Sequence, residues 1–195
     1  MEEIQSIKQF VREIKGWLSD REGEFLYSLA KQVPRGRVIV EIGSWQGKST
    51  IWLAKGSLAG NKNSVYAVDP HCRGETHLSE GEANTEDIFR ENIHKAGVDH
   101  IVVPLVMKSE EAVRGRRKDI GLLWIDGSHE YEDVKRDFQL WEPYLRHRSF
   151  IAFHDRDHPG PLKVIREYIF NSNKFFKITV CDQILAARKS TNYEI

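Results

Sequence analysis

The sequence predicts an α/β fold, a mostly parallel sheet with helices on both faces, from three observations. The apolar runs Val38-Ile39-Val40-Glu41-Ile42 and Ile120-Gly121-Leu122-Leu123-Trp124-Ile125 lack polar alternation, as strands do when both of their faces are covered. Runs of this kind alternate along the chain with stretches of helical period. Several of them end on glycine or on an acidic residue, at the edge where an open α/β sheet takes its ligands.

In chain order, Ile4, Ile7, Phe10, Val11, Ile14, Trp17 and Leu18 recur at helical spacing and predict an opening amphipathic helix. Its apolar stripe needs a cover, from the chain itself or from a second copy in a homo-oligomer. Ser19-Asp20-Arg21-Glu22 reads as a capping box, and Phe25, Leu26, Leu29, Ala30 and Val33 extend a second helix until Pro34 and Gly36 stop it. Residues 1–34 are thus expected as a helical lid or support, and residues 37–188 as the core, within one domain over 1–195. A helix over 49–59, a strand over 64–69, a helix over 85–96 closed by Gly97 and a strand over 101–106 follow the first strand. Strand 120–125 leads into a helix over 130–145, with Tyr131, Val134, Phe138, Trp141 and Leu145 on its buried face and a kink or end near Pro143. A strand over 148–153, a helix over 162–170 and strands over 175–180 and 183–188 complete the chain. The short turn at Cys181-Asp182 forces the last two to pair antiparallel.

Gly43 and Gly47, just after the first strand, let the backbone approach a ligand closely. Their spacing, E-x-G-x-x-x-G, is not the G-x-G-x-x-G of dinucleotide sites, which speaks against a nicotinamide oxidoreductase. Asp69 ends the second strand about 20 residues further on, where a carboxylate accepts both hydroxyls of a ribose diol; the alternative is an Asp that starts a turn before Pro70. Residues 70–84 are polar and long, as substrate loops and lids are, and His71, Cys72 and His77 within them lack the spacing of zinc ligands. Neighbouring strands bring Asp126 and His154-Asp155 to one edge. Converging carboxylates repel unless positive charge lies between them, so Asp126, His154 and Asp155 are expected to hold a divalent ion, Mg2+ or Mn2+, unless Arg148 or Arg156 pairs the acids.

The turn Gly-Ser-Trp-Gln-Gly-Lys-Ser-Thr at 43–50 resembles motif I of class I S-adenosylmethionine (SAM)-dependent methyltransferases. The pattern I-D-G-S-H-x-Y-x-x-V-x-x-D from Ile125, with Phe153-His154-Asp155 at the next strand end, resembles methyltransferase family 24, whose cousins include macrocin-type sugar and catechol-type O-methyltransferases. The likeness spans roughly residues 37–169. It implies a Rossmann-like sheet of seven strands with an antiparallel last strand. It also implies that Glu41, Gly43, Ser44, Gly47 and Asp126 border SAM, that Asp69 holds the ribose, and that Ser109 and Glu110 lie against the adenine. Ser109 reads equally as a helix N-cap. Asp126 and Asp155 fall on the metal positions, and His154 on one that is often acidic in the cousins. Where macrocin-type cousins carry a second Asp as proposed base, this chain has Ser128; His129 is then the candidate base beside Asp126, or a His that caps the next helix. The implied activity is methyl transfer from SAM to the hydroxyl of a small molecule, a sugar first and a catechol second, against the alternative of a protein that holds SAM without turnover.

Composition removes other classes. In 195 residues, 29 basic and 29 acidic side chains leave no field to draw nucleic acid or an anionic membrane, and Arg114-Gly115-Arg116-Arg117-Lys118 reads as a solvated loop. Two cysteines, Cys72 and Cys181, are too few for a disulfide framework and fit a reducing cytoplasm. No apolar leader or spanning run is present in the sequence, so a cytoplasmic location is expected.

Overall fold

Seven strands are arranged in the order β3-β2-β1-β4-β5-β7-β6 in the computed structural model, which describes residues 2–71, 85–114 and 118–190. They are β1 (Val38–Ile42), β2 (Val65–Val68), β3 (Val102–Leu105), β4 (Ile120–Ile125), β5 (Leu145–Phe153), β6 (Phe175–Cys181) and β7 (Ile184–Lys189). The first five pair parallel, and β7 runs antiparallel to both β5 and β6. This is the Rossmann-like sheet with a reversed last strand. Register decides where the chemistry sits: Ile42 lies beside Val68 and Ile125, and Ile125 beside Phe153. The residues that follow, Gly43, Asp69, Asp126 and His154, therefore leave the sheet together at one edge.

The helices are α1 (Glu2–Val11), α2 (Asp20–Lys31), α3 (Lys48–Leu58), α4 (Glu86–Lys95), α5 (Ser109–Ala112), α6 (Tyr131–Trp141) and α7 (Pro159–Val164). Alternation along each strand splits the core in two. Ile39, Leu122 and Trp124 pack with residues of α1 to α4, while Val40, Leu123 and Ile125 pack with those of α6 and α7. The capping box forms as read, with the Ser19 side chain accepting from Glu22 N–H and Glu22 accepting from Ser19 N–H. Helices α2 and α3 press together where Gly56 has no side chain; a Cβ there would sit 2.3 Å from the Tyr27 carbonyl oxygen.

Three boundaries differ from the sequence reading. Helix α1 stops at Val11, and Ile14 and Leu18 are buried from a loop that turns at Gly16, with φ of +144°. Of the opening stripe, Ile7, Val11, Ile14 and Leu18 join the chain's own core, while Trp17 is 83% exposed. Leu145 begins β5 instead of closing α6, because Pro143 tightens the chain into a 3-10 turn at Glu142–Tyr144. Helix α7 starts earlier than expected, at Pro159, whose fixed φ suits a first helical position, and runs on as a π-helical segment, Ile165–Phe170. Residues 72–84, with Cys72 and His77 and most of the expected substrate loop, and residues 115–117 of the basic cluster lie outside the described residues. Among the described residues no helix is long and apolar enough to cross a membrane.

Candidate active site

The strand tips floor a cleft of about 860 Å³, within the usual range for small-molecule sites. Its walls come from the loop at 15–18, the turn after β1, Asp69, the start of α5, the first turns of α6 and the residues after β5. At the turn, Gly43 has φ of +88° and a Cβ would lie 2.2 Å from the Asp126 carbonyl oxygen, so no side chain fits. Trp45 also takes a left-handed φ, +40°, and its N–H donates to Asp69 Oδ2 at 2.8 Å; Asp69 Oδ1 accepts from His71 N–H at 2.7 Å. Each Asp69 oxygen keeps a lone pair for a ligand hydroxyl. Ser44 is buried, borders the cleft, and its hydroxyl has no hydrogen-bond partner among the described residues.

Glu41 is a correction. Strand alternation turns it away from the cleft, fully buried, to accept from the hydroxyls of Ser49 and Thr50, both at 2.5 Å. Burial outweighs those two bonds and lifts its carboxyl to about 8, so it is neutral at pH 7. The folded state then holds a proton that the unfolded chain releases near pH 4.5; stability is full below that pH and falls as pH climbs towards 8. Wild-type protein should lose on the order of 5 kcal/mol over that window, at about 1.4 kcal/mol per pK unit. Glu41→Gln should remove this slope in denaturant melts taken between pH 5 and pH 8.5. An unchanged slope in the variant would assign the pH dependence elsewhere. Gly47 is likewise not at the cleft surface: with φ of +89° it caps α3 and packs on Phe89.

Across the cleft floor lies a cluster of charges. His154, 6% exposed, points Nδ1 at Asp126 Oδ1 (3.2 Å) and Asp155 Oδ2 (3.1 Å). Its Nε2 makes an ion-pair contact of 3.5 Å with Glu22 Oε1 from α2, longer than a good hydrogen bond. Burial alone would lower its pKa, but the carboxylates of Asp126, Glu22 and Asp155 around the ring outweigh it and raise the pKa to about 11. Asp126 is pushed up by burial and held back by His154. His129 Nε2 lies 2.7 Å from Asp155 Oδ2, and Asp155 itself has a left-handed φ of +48°. The arginine alternative does not hold for Arg156, which bonds the Asp182 carbonyl and Asp157. Residues His154, Asp126 and Asp155 bring three potential ligand atoms, two carboxylate oxygens and one imidazole nitrogen, within 4.8 Å of one another, an arrangement that could hold a metal ion.

The far end of the cleft is lined by Ser109, Glu110 and Asp137. Ser109 is the first residue of α5 and not its cap; its hydroxyl accepts from Trp141 Nε1 at 2.8 Å and bonds Asp137. Burial raises the Asp137 carboxyl to about 6 against that bond.

Residues 40–156, more than half of the chain, match the family model Methyltransf_24, described as a methyltransferase domain. The chain belongs to that methyltransferase family. An uncharacterized protein of Sinorhizobium fredii is 28% identical over 91% of this chain, which spans only 18% of that relative's length. An O-methyltransferase from Bacillus cereus, solved with SAH, superposes with a TM-score of 0.68 at 20% identity, covering 97% of this chain and 91% of its own. TomG, the O-methyltransferase of Streptomyces achromogenes involved in tomaymycin synthesis, solved with SAM, gives 0.66 at 19% identity over 98% and 91%. Likeness at such identity speaks for the fold.

In this family-24 methyltransferase, the predicted residues Gly43, Ser44, Asp69, Ser109, Glu110, Asp126, His129, His154 and Asp155 all line one cleft; Glu41 and Gly47 do not. Four lining or supporting groups escaped the sequence reading. Asp137 closed the second motif without a role assigned, and Lys48, whose Nζ donates to the Gly16 carbonyl, looked like an ordinary helix residue. Trp45 stacks on Trp17 with ring centroids 5.3 Å apart at the mouth of the cleft. Glu22 was fully explained as a capping-box member.

Proposed function

We propose that this methyltransferase moves the methyl group of SAM to a hydroxyl oxygen of a small molecule, with a divalent ion at Asp126, His154 and Asp155. The observation that carries the reading is that this three-ligand cluster and the Gly43–Asp69 pair face the same cleft. The similar proteins from Bacillus cereus and Streptomyces achromogenes, described with SAH and SAM, support the cofactor. Asp69 would accept the ribose hydroxyls, Ser44 offers a hydroxyl that is unpaired among the described residues, and Ser109 and Glu110 would flank the adenine.

A divalent ion, when bound, lowers the pKa of an acceptor hydroxyl and so favours the oxygen nucleophile. The chain supplies the rest. A neutral His129 that donates its Nε2 proton to Asp155 leaves Nδ1 to accept the hydroxyl proton, with Asp155 orienting the ring. In-line displacement at the sulfonium asks mainly for alignment, which one cleft holding both partners provides. The acceptor is a sugar or a catechol-type ring; the stacked Trp17 and Trp45 offer a flat apolar face suited to either.

Calorimetry with SAM, its demethylated product and NAD, with and without magnesium, tests the reading: the first two should bind and NAD should not. Asp69→Ala should weaken SAM by about 2–3 kcal/mol, roughly 30- to 150-fold, since it removes charge-assisted bonds to two hydroxyls. Undiminished affinity in a folded Asp69→Ala protein would sink the ribose assignment.

A further inference from the structure

We propose that Glu22 is a positioning residue for the ion cluster, fixing His154 through Nε2 so that Nδ1 faces the gap between Asp126 and Asp155. The inference rests on the divalent-ion reading above. Glu22 is 2% exposed; two backbone N–H groups donate to its carboxylate, and the His154 ring faces it without a hydrogen bond of its own at Nε2. Ser19 N–H donates to Oε2 at 2.7 Å, Gln183 N–H to Oε1 at 2.8 Å, and His154 Nε2 lies 3.5 Å from the same Oε1. The residue thereby ties α2 to the β6–β7 turn and to the end of β5.

A ring held only at Nδ1 is free to tilt, and either nitrogen can carry the proton. A buried carboxylate facing Nε2 favours the tautomer with its proton there and makes the opposite nitrogen a better donor to an ion. Glu22 precedes the matched family region, so this support comes from the chain's N-terminal helices and not from the shared core. A glutamine cannot stand in for it. With one acceptor oxygen where Ser19 N–H and Gln183 N–H each use a separate carboxylate oxygen, a side-chain amide at this position would turn its own donors towards one of them or towards His154.

The test is Mn2+ titration of the full chain, read by the electron paramagnetic resonance of free Mn2+, for wild type, Glu22→Gln, Ser19→Ala and Asp126→Asn. Glu22→Gln should lose about 10- to 100-fold in Mn2+ affinity while SAM affinity stays as in wild type. Ser19→Ala removes the hydroxyl half of the same cap; it should lower the melting temperature and leave Mn2+ affinity alone, which separates positioning from general support. If Glu22→Gln binds Mn2+ as wild type does while Asp126→Asn does not, Glu22 has no such role and the ion site stands. Should wild type fail to bind Mn2+, the ion site itself is wrong, and this role with it. If Glu22→Gln does not fold, nitrogen-15 spectra of the Mg2+-loaded wild type decide. His154 should carry its proton on Nε2 with Nδ1 bare, and the reverse tautomer would overturn the proposal.

Discussion

Asp126→Asn is expected to abolish methyl transfer and divalent-ion binding while SAM affinity stays within about twofold of wild type. The side chain borders the cleft at 22% exposure and faces His154, whereas the cofactor end is set by the turn after β1 and by Asp69. Removing one of two carboxylates leaves an ion with too few anionic oxygens, and losing several kcal/mol of polarisation means a rate loss of about a thousandfold or more. A chelator should silence wild type, and magnesium or manganese should restore it. Transfer that survives both the chelator and Asp126→Asn would mean that His129 and Asp155 deprotonate the acceptor unaided.

The second large effect belongs to Gly43→Ala, which should destabilise the fold by about 3 kcal/mol or more and remove SAM binding. Left-handed backbone costs a side chain about 1–2 kcal/mol. The larger part is steric: the new methyl would meet the Asp126 carbonyl oxygen at 2.2 Å, forcing the tips of β1 and β4 apart. Thermal melts and calorimetry would show it, and a variant with wild-type melting temperature and affinity would disprove the close packing of these two tips.

How much was legible in the sequence follows from which contacts are local. Strands β1 and β4 are buried along their whole length, so their uninterrupted apolar runs stand out, and so do the residues at their tips. Periodicity failed where burial continued without a helix: Ile14 and Leu18 keep the spacing of α1 but are buried from a loop. Glu41 was placed by its nearness in sequence to Gly43, though two-residue alternation turns it towards Ser49 and Thr50 of α3. The acids of the cluster and the histidines beside them, His154 and His129, were readable at the strand ends; Glu22 was not, because it reaches His154 from 132 positions earlier in the chain, a separation no local pattern records.

The insertion of β7 between β5 and β6 has a consequence for how the molecule is made. The last strand of the sheet to leave the ribosome is not an edge strand, since β6 reaches the rest of the sheet only through it. Until Ile184–Lys189 has emerged, β5 keeps an open edge and Glu22 lacks the Gln183 N–H that helps hold it beside His154. A parallel sheet of this kind already relies on slow, sequence-distant pairing, so the nascent chain must shield that edge from the emergence of β5 until β7 follows it. Substitutions that weaken β7 should therefore reduce the yield of folded protein more than they lower the melting temperature of the molecules that succeed.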